Sequence, residues 1–200
     1  MFDNEYSSFR RELLSAALPH CSIKGEEYRF FVLPASTKYH QKEADVFWHV
    51  SSIDYEEGCG EDTEIHPCVN TSFESSCVRL SAPSDLLRIL SPRSPCTFRS
   101  VSSKNIALLI SDLSSGQLTG MRVWIADGPN NGRPTKRFYI RKTYDRIDYV
   151  AIFDIKNKKS DVAGISYIPL ILVTGFPIEL NSYRKKFERE WQSGGLIWFY

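Results

Sequence analysis

A chain of 200 residues with 42% hydrophobic content can build one sizeable core or two small ones, and no apolar run reaches the roughly 20 residues of a membrane-spanning helix. Five cysteines at irregular spacings argue against a closed disulfide framework and for reduced thiols. The opening MFDNEYSSFRRELLSAAL is polar and amphipathic and lacks the order of a secretory signal, so a cytoplasmic protein is expected.

Taken in chain order, a helix is predicted behind an Asp3 or Asn4 cap, where Tyr6, Phe9, Leu13 and Ala17 recur at helical spacing and stop before Pro19. EYRFFVLP and DVFWHVSSIDY, rich in aromatic and β-branched residues, read as strands. Between Asp54 and Pro83 the composition turns to Ser, Glu, Gly and Cys, the mark of a long irregular excursion. A short helix is predicted at SDLLRIL, and SPRSPCTFRSVSS reads as a connection between two parts. KNIALLISDL is apolar but of ambiguous type. MRVWIAD, KRFYIRKTY, DYVAIFDIKN and ISYIPLILVTGF then follow as strands of an antiparallel meander, the last continuously apolar and so placed centrally. In NSYRKKFEREWQSGG, Asn181 or Ser182 caps a helix whose Tyr183, Phe187 and Trp191 face a sheet, whose opposite face is charged, and which Gly194 or Gly195 ends. GLIWFY closes the chain as a short strand or apolar tail. The expected fold class is α+β: a small antiparallel β-sheet packed against helices in a C-terminal domain (101–200), preceded by a mixed α/β N-terminal region (1–100) of unassigned role.

The net charge of +1 hides an asymmetry, because residues 1–120 carry 11 Lys and Arg against 16 Asp and Glu whereas residues 121–200 carry 14 against 8. The stretch GRPTKRFYIRKTYDRIDYVAIFDIKNKK interleaves nine basic residues with Phe138, Tyr139, Tyr144 and Tyr149. Such a pattern suits phosphates and unstacked bases, or else forms the solvated face of an ordinary sheet. Strand alternation puts Arg137, Tyr139 and Arg141 on one face and Phe138 and Ile140 on the other. An exposed phosphate clamp of two guanidinium groups around a phenol follows, the alternative being that Tyr139 is core and the arginines edge the sheet.

The order WIADGPNNGRPTKRFYIRK, YVAIFDI, LILVTGFPIEL, YRKKFEREW and GGLIWFY, over residues 121–200, resembles the phage- and toxin-associated nucleases of the barnase, EndoU, colicin and RelE class. That resemblance implies a metal-independent endoribonuclease that cleaves RNA through attack by the neighbouring 2′-hydroxyl. It needs no cofactor, and its partners would be RNA and an immunity or antitoxin protein, with no membrane. Arg137, Arg141, Tyr139 and Thr174 would then be catalytic, and Arg133, Lys136, Lys142 and Arg146 would hold nucleic acid. This chemistry needs a base, an acid and cations for the phosphorane. All four histidines (His20, His40, His49 and His66) lie in the first half, so either that half supplies an acid, or clustered cations with Tyr or Thr act alone, or the domain binds without cutting.

Two metal readings are weighed. Asp145 or Asp148 with Asp154 and Lys156 fits a short Asp…Asp-x-Lys arrangement for Mg²⁺, although such triplets arise often by chance. Cys59, His66, Cys68 and Cys77 fall within nineteen residues and suit zinc by type, but without a C-x₂-C pair they read better as unligated thiols. No metal is expected. A non-catalytic nucleic-acid- or protein-binding module of a phage or mobile element is the reading from another class.

Overall fold

The computed structural model describes residues 17–23, 26–33, 39–40, 43–44, 50–54, 93–128, 135–155, 160–162, 165–194 and 197–199. The alternation seen in the sequence produces the C-terminal strands. β7 (Arg122–Asp127), β8 (Lys136–Tyr144), β9 (Ile147–Ile155) and β11 (Ile165–Pro177) pair antiparallel in the order β7-β8-β9-β11. With the helices that cover it, this sheet makes the C-terminal part α+β. β11, which holds the continuous apolar run IPLILV, is interior, as expected of a run without polar alternation.

On the far side of β11 the sheet continues with strands from the first part of the chain. β2 (Glu26–Leu33) pairs parallel to β11, β1 (Ala17–Ile23) antiparallel to β2, and β12 (Ile197–Phe199) antiparallel to β1. With β10 (Ser160–Val162), which pairs with β11, the sheet has eight strands among the described residues. GLIWFY therefore ends as a strand, and residues on either side of position 100 share one sheet. Two further pairs stand apart: β3 (Tyr39–His40) with β4 (Glu43–Ala44), and β5 (Ser52–Asp54) with β6 (Arg93–Pro95).

Three helices are described: α1 (Thr97–Ser102), α2 (Lys104–Ser114) and α3 (Asn181–Ser193). KNIALLISDL resolves as α2 because Ile106, Leu109, Ile110 and Leu113 recur at helical spacing and are all buried. They pack on Phe138, Ile140, Ala151, Phe153, Leu170 and Leu172 from one face of the sheet, joined by Val50. Ile106 lies so close to β11 that a Cβ on Gly175 would stand 2.6 Å from its Cδ1, which is why that strand carries a glycine. On the opposite face α3 lays Phe187, flanked by Tyr183 and Trp191, over Trp124, Tyr139, Val150, Ile152 and Ile178. Each large side chain removed from water contributes about 1.5–3 kcal/mol. Both faces of β7-β8-β9-β11 thus carry a helix layer.

Three sequence expectations are corrected. SPRSPCTFRSVSS is not a bare connection: it forms β6 and α1, which is anchored where the Arg99 guanidinium donates to the Ser52 carbonyl at 3.1 Å. Within DVFWHVSSIDY, Val50 and Ser51 are helical, Val50 belongs to the core, Ser52–Asp54 form β5, and residues 45–49 and 55 lie outside the described residues. The helix expected over Tyr6, Phe9, Leu13 and Ala17 is corrected at its end, where Ala17 opens β1 instead; the rest of it, SDLLRIL, and Cys59, His66, Cys68 and Cys77 lie outside the described residues.

Candidate nucleic-acid interface

β8 places Arg137, Tyr139 and Arg141 on one face, as alternation requires, and the register Tyr139↔Ile152↔Thr174 brings Thr174 of β11 to that same face. That face is the one α3 covers, so the expectation of an exposed clamp is corrected. Tyr139 is 4% exposed and stacks on Trp124 with ring centroids 4.9 Å apart. Burial, with the charge of Glu190 nearby, pushes its phenol up to about 12, against an opposing pull from Arg137. It is neutral and enclosed at physiological pH.

The guanidinium groups are engaged internally. Arg141, 7% exposed, donates from Nε and Nη2 to the Asp148 carboxylate at 2.9 and 2.7 Å, a bidentate fork. Its Nη1 is buried 3.6 Å from Glu188 Oε2, and Glu188 in turn accepts from Arg122. Arg184 Nε completes the network 3.7 Å from Asp148 Oδ2. Arg137 pairs with its cross-strand neighbour Asp154 at 3.1 Å. These contacts follow from register: each arginine on β8 meets an aspartate of β9 on the same face.

Lys142 points to the other face, where its Nζ donates to Asp112 of α2 at 2.7 Å. The Tyr144 hydroxyl donates to the same carboxylate at 2.8 Å. Burial raises the Asp112 carboxyl, but the hydrogen bonds from Lys142 and Tyr144 and the lysine charge outweigh it, holding the group below its usual range. Lys136 is exposed and pairs with Asp127 at 2.6 Å. Arg133 lies outside the described residues. Arg146 stands exposed at the β8–β9 turn.

The aromatics between these cations are not a stacking platform. Phe138 and Tyr149 are fully buried, Tyr139 lies under α3, and the Tyr144 hydroxyl is tied to Asp112. Nor do the carboxylates of the Mg²⁺ reading converge. Asp148 and Asp154 stand six residues apart on β9, about 20 Å at 3.3 Å per residue, and each is held by its own arginine. Lys156 is outside the described residues, and among those described no group of three or more His, Cys, Asp or Glu side chains could hold a metal. His20, on β1, is four strand spacings from β8, about 19 Å.

Among the described residues the exposed cations outside any ion pair are Lys104 at the start of α2, Arg146 at the β8–β9 turn and two that lie one turn apart on α3. Its inward stripe is Tyr183, Phe187 and Trp191, so Ser182, Lys185, Arg189 and Gln192 point outward, and all four are exposed. Lys186, also exposed, sits at the rim 3.8 Å from Glu190. Among the described residues Lys185, Arg189 and Arg146 form no ion pair. Reading the strands for basic residues missed Lys185 and Arg189. The signal was present in YRKKFEREW: an i, i+4 cation pair opposite the aromatic stripe.

Comparison with protein-family models, with curated proteins and with solved structures finds no match. Among the described residues no helix is long and apolar enough to cross a membrane.

Proposed function

We propose that this chain is a non-catalytic nucleic-acid-binding module of the cytoplasm that holds the phosphate backbone of single-stranded RNA on the outer face of α3. The observation that carries the reading is the contrast in how cations are used. Arg137, Arg141, Lys136 and Lys142 are matched by carboxylates, whereas Lys185 and Arg189 are exposed and unmatched among the described residues. Arg184, Lys185 and Lys186 lie in the N-terminal half of the helix, and its first turn has no acidic residue. There the positive end of the helix dipole adds to their charge, an arrangement unfavourable for an isolated helix and favourable for an anion. With no exposed ring among the described side chains of the meander to stack bases, recognition is by charge and independent of base sequence.

The test is binding of a fluorescein-labelled oligouridylate across a salt series. Replacing Lys185 and Arg189 together by glutamine is expected to weaken binding by on the order of tenfold and to reduce the slope of log K against log salt by about 1.4, two single-strand phosphate contacts at about 0.7 each. Unchanged binding in that double variant would defeat the reading.

One observation favours the ribonuclease alternative: Arg137, Tyr139 and Thr174 share a face, with the carboxylates of Asp154 and Glu190 close enough to act on the phenol. The same oligonucleotide incubated in EDTA tests it. Cleavage lost in Arg137→Ala would favour that alternative, and intact oligonucleotide the binding module.

A further inference from the structure

β8 and β9 are joined by a turn whose two central residues, Asp145 and Arg146, have φ of 46° and 69°. The flanking pair Tyr144↔Ile147 makes this a tight two-residue hairpin loop. Such loops need the left-handed region at both positions, and Asn-Gly or Asp-Gly satisfies them without strain. Asp145 is tolerated there because short polar side chains visit that region. Arg146 is not, because its Cβ crowds the following carbonyl. Among the described residues nothing rewards this arginine: its side chain is exposed and makes no ion pair there.

Its position is informative. The Asp148 carbonyl accepts from the Ile178 N–H at 2.7 Å, and the Asp148 carboxylate lies 3.7 Å from Arg184 Nε. The strained turn therefore stands at the end of α3 that bears Arg184 and Lys185. Resting on the reading that the outer face of α3 binds nucleic acid, we propose that Arg146 is a phosphate anchor, kept in a conformation better suited to glycine because it carries the cationic track of α3 onto the hairpin. From Arg184 to Arg189 the cations of α3 span about 7.5 Å, at 1.5 Å per residue. That exceeds two phosphate steps of a stacked strand at about 3.4 Å each. The ligand, which must also reach Arg146, is thus an oligonucleotide of at least three or so residues, not a mononucleotide.

The experiment uses the full chain with Arg146→Gly, Arg146→Asn and Arg146→Lys, reading Tm and the affinity for octauridylate and diuridylate across a salt series. Relief of the turn is expected to raise the Tm of Arg146→Gly by about 2–4 °C, with a smaller rise for Arg146→Asn. Both should bind octauridylate about three- to tenfold more weakly, with a salt slope lower by about 0.7, while Arg146→Lys binds as the parent does. Diuridylate should bind weakly to every variant. A stabilised Arg146→Gly that binds octauridylate like the parent overturns the anchor and leaves the α3 reading standing. So does diuridylate bound as tightly as octauridylate, or a Tm that falls in Arg146→Gly. A parent chain that binds no octauridylate overturns the α3 reading and the anchor with it.

Discussion

Replacing Asp148 by alanine should be among the most damaging single changes on the α3 side of the sheet. Arg141 is 7% exposed, and Asp148 takes two of its donors at 2.9 and 2.7 Å. Without that carboxylate the guanidinium keeps only Glu188, 3.6 Å away and already accepting from Arg122. Breaking a buried pair from one side costs about 3–5 kcal/mol, and the remaining Glu188 puts this case near the lower end, about 3 kcal/mol. For a chain of this length that is a fall in Tm of roughly 6–12 °C. Urea unfolding with linear extrapolation measures the loss directly. Arg141→Met should cost less, about 1–2 kcal/mol, because Asp148 retains Arg184 and Glu188 retains Arg122. The double variant should fall short of additivity by about 1.5 kcal/mol or more. An Asp148→Ala loss below about 0.5 kcal/mol, with additive singles, would refute the reasoning. It would mean that Arg141 is solvated and free for a phosphate.

Other outcomes follow from the same contacts. Asp112→Asn should destabilise by about 1–2 kcal/mol at neutral pH, a figure already reduced for solvent contact. Because the folded pKa of Asp112 is lowered, its contribution is full above the ordinary carboxylate value of about 4 and is lost as pH falls through the lowered one. Parent and variant should therefore converge in urea titrations carried to low pH. The raised phenols act in the opposite direction. With Tyr139 pushed up to about 12, stability is full below the unfolded value near 10 and declines as pH rises from there toward 12, which circular dichroism on base titration would follow. Gly175→Ala would force a Cβ against Ile106 and should cost about 1–3 kcal/mol in denaturant unfolding.

Much of the C-terminal fold was legible because its signals are local and strong. Alternation in KRFYIRKTY and DYVAIFDI, and the i, i+4, i+8 aromatics of α3, each specify an element and the face it buries. Sequence alone could not say which face of β8 faces water, since Arg-Tyr-Arg reads as solvent-facing until a helix is laid over it. That required knowing that Trp124 and Tyr139 stack beneath Phe187, a long-range contact with no local mark. The ion pairs depend in the same way on register: Arg137 meets Asp154 because β8 and β9 pair around a two-residue turn. For this reason a basic composition was a poor guide to a basic surface. The strand cations pair with carboxylates of β7, β9, α2 and α3, and among the described residues Lys104, Arg146, Lys185 and Arg189 are left over.

Lysine modification read by mass spectrometry, with and without oligouridylate, tests this division of the cations most directly. Lys185 should react readily in the free chain and be protected by the oligonucleotide, while Lys142, held by Asp112, reacts slowly in both states and Lys136 does not change. Protection of Lys136 or Lys142 with Lys185 left reactive would contradict the account and return the binding surface to the sheet.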